Sequence, residues 1–102
     1  MNTLSISHAD VDKRLLRLVE ACVAKIDADP TLVAIMRRNL ARWSSAHLSA
    51  EWEHMLSLPW SELRTQLLED SDRGRLHRQN APLGGVLDAR ERFLLLRSLS
   101  FP

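Results

Sequence analysis

Residues 11–43 read VDKRLLRLVEACVAKIDADPTLVAIMRRNLARW. Apolar side chains fall at Val11, Leu15, Leu18, Val19, Cys22, Val23 and Ile26. Steps of three and four put them on one face of an α-helix. A second series follows at Leu32, Val33, Met36, Leu40 and Trp43, with Arg37, Arg38 and Arg42 on the opposite side. Asp29-Pro30 separates the two. Proline at a first helical position gives up no amide the helix needs, and the Asp29 carboxylate can accept from a free one. The spacing predicts one helix over 8–27 and another over 30–46. Their short connection favours an antiparallel hairpin.

The same reading extends outward from this hairpin. Ser7-His8-Ala9-Asp10 has capping-box spacing at the start of the first helix, with Leu4 and Ile6 just outside. Downstream, Ser49 is read as the cap of a third helix to Leu58, with Trp52, Met55 and Leu56 inward. Pro59 opens a fourth, carrying Trp60, Leu63, Leu67 and Leu68 to about Glu69. Ser71 caps a short fifth over 72–79. Asn80-Ala81-Pro82-Leu83-Gly84-Gly85 is a loop. Asp88 and Glu91 repeat the capping-box spacing before a last helix over 89–99. No stretch alternates as a strand does, tyrosine is absent, and no long repeat occurs. The expected fold is all-α, a compact bundle of five or six short helices forming a single domain over 1–102.

Composition narrows the function classes. The chain has 102 residues, 45% hydrophobic and 26% charged, the mix of one folded domain. Cys22 is the single cysteine, so neither an intrachain disulfide nor a cysteine zinc site can form. One thiol, and a start with neither a basic region nor a long apolar run, suit a reducing cytoplasm. No apolar run reaches membrane-spanning length. Glycines only at 74, 84 and 85 exclude a glycine-rich phosphate loop. Charge is segregated: residues 43–72 carry six acidic side chains and one basic, whereas residues 73–102 carry six basic and two acidic. The C-terminal third is therefore the basic pole of a dipolar chain.

The run from Arg75 through Gln79, Pro82, Gly85-Val86-Leu87 and Glu91-Arg92-Phe93 resembles the C-terminal signature of a group of small uncharacterised bacterial proteins, R-L-R-Q-S-S-P-F-A-G-V-L-x-x-x-E-R-W. Asn39-Leu40-Ala41-Arg42-Trp43, Glu51-Trp52 and Leu58-Pro59-Trp60 are similar too, so the likeness extends over about 30–97. Leu83, Gly84 and Phe93 stand where the group has Phe, a small residue and Trp. Genes of the group are often neighbours of toxin-like genes. The resemblance implies an antitoxin-like or regulatory role with a neighbouring gene product as partner, and it implies no catalytic residues.

Chemistry-bearing residues are sparse. His47, Glu51 and His54 are spaced four and three apart, as zinc ligands on one helix would be. Two imidazoles and one carboxylate lack a further ligand or a water-activating base. The simpler reading has Ser49 restarting the helix and His47 in the turn, so no metal is expected. Cys22 lies on the apolar stripe, where a thiol is a small hydrophobe. His8 and His77 have no partner at useful spacing. Trp43, Trp52 and Trp60 read as core, with Trp43 and Trp60 expected to be buried beside Leu40, Leu63 and Leu67.

Two features point to binding. Arg73, Arg75, Arg78, Arg90 and Arg97, with Arg92 between the last two, are candidates for an anion or an acidic partner. Their competing reading is internal pairing with the acidic 51–72 segment. A helix-turn-helix over 61–79 would have too short a second helix to read bases. Phe93, Leu94, Leu95 and Leu96 are four consecutive apolars, followed by Leu99 and Phe101. Four in a row sweep round a helix at 100° per residue, so one narrow stripe cannot hold them. Either the monomer encloses this helix on most sides or one side is left for another chain, and Phe93, Leu95, Leu96 and Leu99 are expected at a protein-partner or homodimer interface. No nucleophile–base pair or cofactor motif appears. The expectation is a non-enzymatic protein-interaction module without cofactor or catalytic residues. A nucleic-acid-binding regulator using the basic third is the alternative.

Overall fold

The structure, a computed structural model, describes residues 8–43 and 45–99. Six α-helices follow in order: α1 His8–Ala28, α2 Val33–Leu40 entered through a 3₁₀ turn Pro30–Leu32, α3 Ala46–Ser57, α4 Trp60–Leu67, α5 Asp72–Asn80 and α6 Ala89–Ser98. No strand occurs among the described residues. The all-α bundle expected from periodicity is the fold. The expected Ser7 cap and the Phe101 side chain lie outside the described residues.

Local hydrogen bonds explain where the helices start and stop. Thr31 N donates to Asp29 Oδ1 at 3.2 Å, so Asp29-Pro30 works as the sequence suggested. The second helix ends sooner than its apolar spacing predicted. After Leu40, the amides of Arg42 and Trp43 reach back only three residues, to Asn39 O and Leu40 O. This 3₁₀ tightening keeps Trp43 near its helical azimuth while the α-helix has ended. The third helix begins earlier than expected. Ser45, rather than Ser49, is its cap, accepting from Leu48 N at 3.4 Å, and His47 lies within the helix.

α1 is the longest helix, and it contacts both α5 and α6. The core combines Val19, Cys22, Val23 and Ile26 of α1 with Met36 and Leu40 of α2. Trp52, Met55 and Leu56 of α3, Leu63 and Leu67 of α4, and Val86 complete it. Trp43 and Trp60, the expected buried pair, are half-buried and pack on the core from its edge. The deeply buried indole is Trp52, 1% exposed. Trp60 turns its polar edge outward, with Nε1 donating to Asp27 Oδ1 at 2.7 Å.

Arg64 closes the same junction. Its Nε and Nη2 donate to the two Asp27 oxygens at 3.0 and 2.9 Å. These bonds tie α4 to the last turn of α1. Arg64, and after it Trp60, hold the Asp27 carboxyl below its ordinary 3.8. A depressed carboxylate adds stability above its unfolded value and loses it as the pH falls through the folded one. The Asp27 contribution is therefore expected to vanish below pH 3.8. Acid titration of Asp27→Asn followed by circular dichroism should show a shallower fall in that window than the wild type.

The α4–α5 corner is built on a close backbone approach. Ser71 Oγ accepts from Gly74 N at 3.0 Å and caps α5. A Cβ on Gly74 would lie 1.9 Å from Glu69 O, far inside contact distance. The guanidinium of Arg78, one helical turn on, reaches the same place. Its Nη1 donates to Leu67 O and Glu69 O, both at 2.9 Å. The carbonyls left over at the end of α4 are thus satisfied by a side chain of α5.

The 81–88 connection is a pinned corner. Asn39 on α2 donates from Nδ2 to Pro82 O at 2.9 Å and Gly84 O at 2.7 Å. Gly85 has φ +88°, in the left-handed region glycine occupies without strain. Pro82 and Val86 are buried beneath. Asn39→Ala removes both donors and is expected to cost about 1–2 kcal/mol. Urea unfolding with an unchanged m value would measure it.

Candidate functional site

α6 is the element whose surface is least used by the fold. Its start is fixed by the capping box: Glu91 N donates to Asp88 Oδ1 at 2.7 Å, and Asp88 N donates to Glu91 Oε1 at 2.9 Å. Glu91 also takes Lys25 Nζ at 2.6 Å. That pair lowers the Glu91 carboxyl and raises the Lys25 ammonium. At the other end, Leu99 shares a small pocket with Lys13, Arg14, Leu16 and Arg17 of α1. α6 therefore runs antiparallel along α1. No residue of it is fully buried.

The 100° turn per residue sorts its side chains into two faces. Glu91, Leu95 and Leu99 face α1, and Leu95, Leu96 and Leu99 are half-buried. Arg90, Phe93, Leu94 and Arg97 follow at i, i+3, i+4 and i+7 on the outer face. Phe93 is 61% exposed and Leu94 51%, and both arginines are exposed. The interface expected from Phe93, Leu95, Leu96 and Leu99 is thus split. Phe93 lies on the open face with Leu94, whereas Leu95, Leu96 and Leu99 are half-buried. The outer face is an aromatic-aliphatic pair between two guanidinium groups.

The arginine set does not form one patch. Arg73 is exposed. Arg75 is paired with Asp72 and lies 3.9 Å from Asp12 of α1. Arg78 is 6% exposed and its Nη1 holds the carbonyls of Leu67 and Glu69, so it is an interior side chain and not part of an open surface patch as expected. Helical periodicity did not mark its burial, because its partners are the backbone carbonyls of Leu67 and Glu69. Arg90 and Arg97 stand with Phe93.

His47, Glu51 and His54 do share α3, but Glu51 points elsewhere: its Oε1 is 3.5 Å from His77 Nε2. No group of three potential ligands arranged for a metal occurs among the described residues. His77 is buried with its ring edge-on to Trp52, centroids 6.1 Å apart. Its partners come from α3, so spacing within its own segment could not reveal them. Cys22 is buried, and burial pushes its thiol up to about 11, the state of an unreactive core thiol.

Comparison with known proteins gives no match to any family model, curated protein or solved structure. No helix among the described residues is long and apolar enough to cross a membrane.

Proposed function

We propose that the protein is a non-enzymatic interaction module of a bacterial cytoplasm, and that it docks a protein partner on the outer face of α6. The observation that carries this reading is Phe93 and Leu94 lying open between Arg90 and Arg97. Exposed large apolar side chains in a group mark binding surfaces more often than bare solvent contacts. Flanking guanidinium groups select carboxylates over other partners. The favoured partner therefore presents an apolar pocket rimmed by Asp or Glu. The resemblance to proteins encoded beside toxin-like genes supports a neighbouring gene product in that role, with the present chain acting as an antitoxin-like regulator. A second copy could occupy the same face, which would make a two-fold dimer.

The test compares wild type with Phe93→Glu and Leu94→Glu. Both sites are exposed, so each substitution is expected to change stability by no more than about 0.5 kcal/mol. Capture of the neighbouring gene product is expected to weaken at least tenfold in both variants. Sedimentation at tens of micromolar decides whether a homodimer uses this face. Random duplex DNA at physiological salt is expected to bind weakly. Submicromolar, sequence-selective binding there, falling steeply with salt, would replace this reading with that of a nucleic-acid-binding regulator.

A further inference from the structure

A groove of about 210 Å³ lies between α1, the end of α5 and the 81–87 corner. It is separate from the outer face of α6. Leu15 and Leu18 form one wall, and Leu83 and Leu87 the other. Two cationic residues, Arg78 and Arg92, also line it, and no carboxylate does. A groove lined by two arginines and by no carboxylate favours an anion over a cation. Lys25, Arg64 and Arg75 each have a carboxylate partner, Glu91, Asp27 and Asp72. Arg92 makes no ion pair among the described residues.

The two arginines differ in a useful way. Arg78 is buried, and its Nη1 donates to Leu67 O at the end of α4 and to Glu69 O just beyond it, so its position is fixed before any ligand arrives. Arg92 is exposed at the mouth, at the first turn of α6. The wall opposite is held by the Asn39 bonds to Pro82 O and Gly84 O. Preorganised donors and walls spare a ligand the cost of ordering them.

We propose that this groove binds a small monocarboxylate with an unbranched or flat apolar body, its carboxylate toward Arg78 and Arg92 and its hydrocarbon between the leucines. A planar guanidinium matches a carboxylate's two oxygens, and the apolar walls favour a hydrocarbon body over a bare anion. The volume is below the range of sites for drug-sized ligands, so the body is of medium-chain fatty acid size. A free small molecule is the occupant, because about 210 Å³ holds a short hydrocarbon with one carboxylate and no folded partner segment.

Octanoate is the probe, with octanol and inorganic phosphate as controls, read by calorimetry and by amide chemical shifts of the intact chain. Octanoate is expected to bind and to move amides in 15–22 of α1 and 83–87 of the corner. Octanol and phosphate are each expected to bind at least tenfold more weakly. Arg92→Gln is expected to weaken octanoate about tenfold and Arg92→Glu further, with an unchanged circular dichroism spectrum, since Arg92 is exposed. Phe93→Glu, on the other face of α6, should leave octanoate binding unchanged and so separates this site from the docking face. Octanol equal to octanoate, phosphate equal to octanoate, no octanoate binding at millimolar concentration, or full affinity in Arg92→Gln would each overturn the proposal. So would tighter binding of a peptide with a free leucine carboxylate, which would make a chain terminus the occupant.

Discussion

Trp52→Ala is expected to be the most damaging single truncation in the chain, costing about 3–5 kcal/mol. The indole is 1% exposed and sits in the core of α3 with Met55 and Leu56 beside it. His77 packs edge-on to it, so a cavity at 52 also removes the cover over a buried imidazole. Nearby helices cannot collapse into the hole freely, because Arg78 and Asn39 hold the α4–α5 corner and the 81–88 connection in place. Against a total of about 5–15 kcal/mol for a typical domain, this removes a large share of the stability. Trp43→Ala and Trp60→Ala are expected to cost less, since both rings are half-buried and leave gaps that solvent can enter. Urea denaturation of the three variants ranks them. A Trp43 or Trp60 variant less stable than the Trp52 variant would contradict the burial order.

Gly74→Ala should cost about 3 kcal/mol, although alanine is the better helix former. In an unhindered helix the same change would stabilise by up to about 1 kcal/mol, so even the sign separates the two cases. The obstacle is a backbone carbonyl: Glu69 O lies 1.9 Å from the new carbon, and Arg78 Nη1 lies 3.2 Å away. A flexible side chain could swing aside. Glu69 O cannot move without lengthening its bond from Arg78. The added methyl therefore acts on two contacts at once. A double-mutant cycle of Gly74→Ala with Arg78→Met is expected to be non-additive, because the first substitution already disturbs what the second removes. Thermal unfolding of the four proteins reads the coupling.

How far these features were legible depends on whether their cause was local. Helix number, the Asp29-Pro30 break and the Asp88–Glu91 box follow from residues three or four apart, and the backbone obeys them. Helix ends were read less well around 40–49, where a 3₁₀ turn mimics helical spacing at Trp43 and two serines compete as caps. Long-range partners left no trace in periodicity. Asn39 stands within a helix among arginines, and only its distant acceptors at 82 and 84 explain it. Arg78 looked like its neighbours Arg73 and Arg75. A faint sign existed in Gly74, one turn before Arg78 on the same face and costly to place within a helix unless something passes close. On α6, four consecutive apolars showed that one narrow stripe could not hold them all. Which face stayed open depended on the Lys25–Glu91 and Leu99 contacts with α1.

The way α6 is attached has a kinetic meaning. It has no fully buried residue and packs chiefly along α1, while the preceding connection is held to α2 by Asn39 as far as Gly84. Peeling α6 away bends the chain near Leu87 and Asp88 and leaves the core of the other five helices closed. Its amides should therefore exchange with deuterium through a low-energy opening that the rest of the molecule does not share. A helix that detaches this cheaply can also lie along α1 of another molecule, giving an exchanged dimer whose seam is the one already present within each chain. In such a pair the Lys25–Glu91 bridge would form between molecules, and slow dilution would return the monomer unchanged.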